Sequence, residues 1–252
     1  MNPIDMKFWL GYLSEWLGVI AVVMIAGTSP IFKKIRRIEF RFPRRETTFA
    51  LILFALIFFF AFQFFSNRIF DFLRTFAGEL QGGEVAQRML IAVLALLPLL
   101  VLLIVRGQPP KSIGWSKENT RTSLTLGVLL VLLVVFLRGK FLTILQGVSS
   151  EQGSLLFVIL VWCVVEETIF RGYIQLRLMS FLGQTWGWLA TALLYVLWQL
   201  PGNAVFTSFA TEWPQLVIAL VQGLLLGWIM RKTYHVAAPA LLRAAATWLM
   251  LI

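Results

Sequence analysis

Two adjacent carboxylates, Glu166 and Glu167, close the apolar run 160–165, and Arg171 and Gly172 follow them. Ionisable side chains at bilayer depth are costly to bury and by default mark a functional site. On a helix Glu167 and Arg171 stand at i, i+4, share a face and can pair, whereas Glu166 points about 100° away and is left free to work. If the helix has instead just reached the headgroups, the same cluster is ordinary solvated charge.

Two further polar positions fall inside apolar runs. Gln199 sits in Tyr195-Val196-Leu197-Trp198-Gln199-Leu200-Pro201, and a tight turn near Leu182 and Gly183 would put it at the depth of Glu166 on a facing helix. Arg243 and Thr247 share a face at i, i+4 in the last run, among alanines that allow close helix approach. Arg243 is expected to pair with Glu166 while Arg171 pairs with Glu167, because adjacent carboxylates in a metal-free membrane cavity need two compensating cations. The alternative for Arg243 is snorkelling to an interface. Cys163, the only cysteine, reads as a small packed hydrophobe, and His235, the only histidine, as an interface residue at the start of the last span.

The elements that must position these residues are membrane helices. With 252 residues, 59% hydrophobic and 13% charged, and a mean hydropathy of +0.84, the chain is no ordinary soluble domain. Apolar runs suggest an all-α polytopic bundle of about eight transmembrane helices, near 8–32, 47–65, 89–105, 122–137, 154–170, 186–200, 214–230 and 236–251. The first is not a signal peptide, because Asp5 and Glu15 accompany Lys7 in its flank.

The net charge of +10 is not a nucleic-acid signal, because the basic residues lie in short loops. The block Lys33, Lys34, Arg36, Arg37, Arg41, Arg44 and Arg45 belongs on the cytoplasmic side. Loops on that side then hold 15 Lys or Arg against 6 on the other, with both termini outside the cytoplasm. An anionic-lipid role for the block is open, although orientation alone accounts for it. Trp9, Trp115, Trp186, Trp213 and Trp228 fit interfacial belts. Connections with turn signals such as Gly82-Gly83 and Pro109-Pro110 are too short for a soluble domain, and the inverted halves expected of many transporters are not evident.

These residues carry a resemblance. Glu166-Glu167-Thr168-Ile169-Phe170-Arg171 is similar to the Glu-Glu-x-x-x-Arg motif of the CPBP (Abi) family, which includes the type 2 CAAX prenyl proteases. The family's aromatic-x-x-x-His aligns as Tyr195 to Gln199, and its His-x-x-x-Asn as Arg243 to Thr247. The chain is thus read as an amino-terminal part, 1–119, with three spans, and a CPBP-like core, 120–252, with five.

The resemblance implies an intramembrane endopeptidase in which Glu166, Glu167, Arg171 and the Gln199 position serve a metal or polarised water that attacks a peptide carbonyl. Its substrate or partner would be a membrane protein or lipidated peptide, in contact with membrane lipid, and its place a plasma (cytoplasmic) membrane. Both motif histidines are replaced. Gln199 is a weak neutral ligand and Arg243 a permanent cation, so no metal or other cofactor is expected although zinc or a relative suits the family. A pseudoprotease acting as a membrane scaffold or binding subunit is the second reading, and a transporter a distant third.

Overall fold

Runs of Leu, Val, Ile, Phe and Ala fold as helices wherever the computed structural model describes the chain, at residues 6–33, 35–66, 70–80, 83–201 and 209–252. Asp5, Lys34 and Gly82, used above, lie outside those residues. The elements are α1 Met6–Thr28, α2 Pro30–Lys33, α3 Pro43–Ser66, α4 Asp71–Glu79 and α5 Glu84–Val105. A 3₁₀ turn Pro110–Ile113 leads to α6 Lys117–Leu137 and α7 Phe141–Leu145. The carboxyl-terminal part comprises α8 Ser150–Glu167, a π-helical segment Thr168–Gln175, α9 Leu176–Leu182, α10 Gln184–Gln199, α11 Phe209–Thr233 and α12 Ala237–Trp248. Among the described residues there is no strand.

Among the described residues six helical stretches are long and apolar enough to cross a bilayer: Trp9–Thr28, Pro43–Ser66, Glu84–Val105, Pro110–Leu137, Ser150–Leu182 and Trp213–Thr233. Two of the eight expected spans are shorter helices, α10 with 16 residues and α12 with 12, against about 20 needed to cross the hydrocarbon core. Of these, α12 packs against α6 and α8, and α10 against α9 and α11.

The fifth span extends beyond the expected end at 170. It runs on through the π segment to Leu182, where Gly183 at φ 84° stops it and turns the chain into α10. A side chain on Gly187 would collide with the backbone of Leu178 and Met179, so glycine there lets the hairpin close.

Connections gather at the two ends of the bundle. At one end Arg36 pairs with Glu118 at 2.9 Å, and the Val236 N–H donates to Gly114 O at 3.1 Å. At the other, Arg138 pairs with Glu15 at 2.6 Å, Trp248 Nε1–H donates to Gln152 O at 2.9 Å, and Trp9 stacks on Trp213. Glu46, which follows the basic block, is buried between Arg106 and Arg177 rather than solvated.

Candidate functional site

A capping box between Ser149 and Gln152 starts α8. Eighteen residues on, Thr168 Oγ1 donates to Val164 O at 2.7 Å and accepts from Trp115 Nε1 at 3.1 Å. A hydroxyl that bonds back into the ladder perturbs it, and here the winding changes to π over Thr168–Gln175. Within that segment a side chain on Gly172 would strike the carbonyl oxygen of Ile113, so the glycine after the Glu-Glu-x-x-x-Arg motif seats the helix on the 3₁₀ turn. Small residues do the same for α12, where Gly127 of α6 meets Ala238 and Leu241.

Glu166, Glu167, Arg171 and Arg243 then converge near the middle of the 33-residue stretch 150–182, with relative exposures of 2%, 0%, 0% and 5%. Arg243 Nη2 lies 2.6 Å from Glu166 Oε2, and Arg243 Nη1 donates to Glu167 Oε1 at 3.2 Å. Arg171 Nε lies 3.3 Å from Glu167 Oε2. Trp198 Nε1–H donates to the remaining oxygen, Glu166 Oε1, at 2.8 Å. The Arg243 guanidinium lies 4.9 Å over the Trp162 ring and 5.3 Å over Tyr195, and the Arg171 guanidinium lies 4.7 Å over the same Tyr195 ring. Two carboxylates and two guanidiniums cancel in formal charge, as burial in a low-dielectric interior requires.

Both expected pairs, Arg243 with Glu166 and Arg171 with Glu167, form, and Arg243 additionally bridges to Glu167. Arg243 does not snorkel, and the Glu-Glu-Arg cluster is not solvated. Gln199 is not with the carboxylates. Its Oε1 accepts from Arg88 Nη1 of α5 at 3.1 Å, and its Nε2 has no hydrogen-bond partner among the described residues. Thr247 is half-buried, and among the described residues its side chain makes no hydrogen bond to the cluster.

Sequence reasoning placed the right depth opposite Glu166 but missed the group there. Trp198, the neighbour of Gln199, points about 100° away from it around α10 and faces the carboxylates. Trp115, expected at an interface, is exposed, donates its Nε1–H to Thr168 Oγ1 and lies edge-on to His235.

His235, just before α12, is packed inside the protein. It is 2% exposed, with Nδ1 accepting from the Ala237 N–H at 3.1 Å and Nε2 3.2 Å from Thr120 Oγ1. That pattern assigns its proton to Nε2, and burial holds its pKa down at about 4. Both ring nitrogens are occupied, away from the carboxylates. Among the described residues no three His, Cys, Asp or Glu side chains converge as a metal site would require.

Residues 149–249 match the Rce1-like family model, described as type II CAAX prenyl endopeptidase Rce1-like. Over that segment the chain is similar to CAAX prenyl endopeptidases, and its apolar helices are those of a multi-pass integral membrane protein. No curated protein and no solved structure matches it. The matched segment holds α8 to α12 and so every member of the ion cluster, while α1 to α7, including α6 that packs on α12, lie outside it.

Proposed function

We propose that this CAAX protease-like protein does not hydrolyse peptide bonds and acts as a membrane scaffold or binding subunit, with the Arg243 guanidinium in the electrostatic place of a catalytic cation. The observation that supports this reading is the contact of Arg243 with both carboxylates, at 2.6 and 3.2 Å.

A general base needs a carboxylate oxygen within reach of a water. Here Glu166 faces Trp198 and Arg243, and Glu167 faces Arg243 and Arg171, so each of the four oxygens already has a cation or an N–H against it. The donor set does not suit zinc either. A fixed guanidinium repels a metal ion, and the two motif histidine positions are Gln199, turned toward Arg88, and Arg243. We therefore route no chemistry through a metal.

The partner in this reading is a membrane protein or a lipidated peptide met within the bilayer, and the membrane is the plasma membrane with the basic loops inside. The test is cleavage of a lipidated-peptide reporter by purified protein in liposomes. The expected result is no cleavage above protein-free liposomes, and no difference between the native chain and Glu166→Ala. Cleavage by the native chain that Glu166→Ala abolishes would establish the endopeptidase instead.

A further inference from the structure

Away from the ion cluster, at the end of the bundle where Arg36 meets Glu118, a cavity of about 220 Å³ is lined by Arg37, Gln184, Trp228, Arg231, Lys232 and Tyr234. Three cations line it and no carboxylate does. They come from separate places in the chain, Arg37 from the extended strap after α2, and Arg231 and Lys232 from the last turn of α11. Among the described residues none of the three forms an ion pair. That sets them apart from Arg36, Arg106, Arg138, Arg177 and Arg243, each of which has a carboxylate. The Arg231 guanidinium lies 4.9 Å over the Trp188 ring, which fixes its position without neutralising it.

The backbone beside the cavity is also unusual. Tyr234 is the non-glycine residue with positive φ, 49°, among the described residues. Such strain persists where the surroundings over-determine it, often at binding sites. The Tyr234 hydroxyl donates to Gln184 Oε1 at 3.1 Å and so ties the α11–α12 junction to the α9–α10 turn. Gln184 thereby spends its acceptor on tyrosine and keeps its NH₂ group as a donor. A second cavity of about 410 Å³ shares Arg37, Gln184 and Tyr234 and continues the first along Phe40, Leu176 and Met179, with Glu39 on its wall as the one carboxylate.

We propose that Arg37, Arg231, Lys232 and Gln184 form a binding site for a phosphate group, either the headgroup of an anionic lipid or free phosphate. Guanidinium forks match phosphate oxygens, the lysine adds charge, and the amide adds a neutral donor. Orientation of the chain in the membrane needs basic residues at this end. It does not need three unpaired ones converging from distant segments on a cavity beside a strained tyrosine.

The test is the thermal stability of the full chain in neutral detergent. The additives are dioleoylphosphatidylglycerol, dioleoylphosphatidylcholine, or inorganic phosphate with a chloride control of equal ionic strength. Phosphatidylglycerol should raise the melting temperature and phosphatidylcholine should not. Arg37→Gln, an exposed change, should reduce the shift, and Arg37→Gln/Arg231→Gln/Lys232→Gln should abolish it. A shift with inorganic phosphate that the same variants lose identifies free phosphate as sufficient, and a shift with phosphatidylglycerol alone identifies the lipid. The charge-matched Arg41→Gln/Arg44→Gln/Arg45→Gln, in the same basic block but outside the cavity, should keep the full shift. Equal loss in that control, an unchanged shift in the Arg37 variants, or no shift with any phosphate would overturn the proposal.

Discussion

Two buried ion clusters solve the same electrostatic problem in different ways. In the motif cluster charge is balanced but hydrogen bonding is not: among the described residues all three Arg171 nitrogens, Glu166 Oε2 and Glu167 Oε2 lack a hydrogen-bond partner of good geometry. In the cluster around Glu46 the carboxylate receives Arg106 at 3.0 and 2.5 Å, Gln108 Nε2 at 3.2 and 3.0 Å, and Arg177 Nε at 3.1 Å. The other Arg177 nitrogens donate to Ser112 O, Tyr173 O and Gln108 Oε1, and Thr47 Oγ1 donates to Arg177 O at 2.9 Å.

The second arrangement is a bonded joint between α3, the α5–α6 connection and the first turn of α9. It holds one carboxylate against two guanidiniums and offsets the excess with amides and carbonyls. In the first, Arg243 supplies positive charge but not the full set of directional bonds.

The comparison can be broken by experiment, most strongly at Glu46. Glu46→Ala strands two guanidiniums, one fully buried, and should cost at least about 3–5 kcal/mol, the cost of breaking a buried pair. Unfolding in detergent followed by helical circular dichroism would measure it, and a loss under about 1 kcal/mol would mean water already enters the joint.

Arg243→Ala should come next, at about 3–5 kcal/mol, because Glu166 is left with Trp198 alone and Glu167 with Arg171. Here the double change Glu166→Gln with Arg243→Met should recover much of the loss, because it removes one charge of each sign. A double variant no more stable than Arg243→Ala would show that the cluster depends on directional bonding as the Glu46 joint does.

The smallest effects sharpen the contrast. Trp198→Phe removes the neutral N–H donor to Glu166 and should cost about 1.5–3 kcal/mol, as for a hydrogen bond to a charged group. Thr47→Val removes one of many bonds at the other joint and should cost about 0.5–1.5 kcal/mol. The same unfolding measurement ranks them, and the reverse order would refute the claim that the motif cluster is the under-bonded one.

The pairing of Arg243 with Glu166 was legible because charge neutrality in an apolar run leaves few choices, and the i, i+4 spacing made Arg171 the partner of Glu167. The Gly183 turn was legible from its residue type. The Glu46 joint was not, because Glu46, Arg106 and Arg177 each stand in a loop-like basic context and meet across 60 to 131 residues of sequence. Gln199 was misplaced for a different reason: depth follows from counting residues, but azimuth depends on how α10 rotates against α8, and that rotation presents Trp198.

The sequence by itself determined an all-helical membrane chain and the two carboxylates with their two arginines, because composition, spacing and residue chemistry act locally. Only the tertiary structure decided where each helix ends, that the winding after Glu167 turns π, and that every carboxylate oxygen of the motif meets an N–H or a cation. Those outcomes depend on how Gly172, Gly127 and Gly187 let neighbouring backbones approach, a property of packed pairs of helices rather than of any one run of residues.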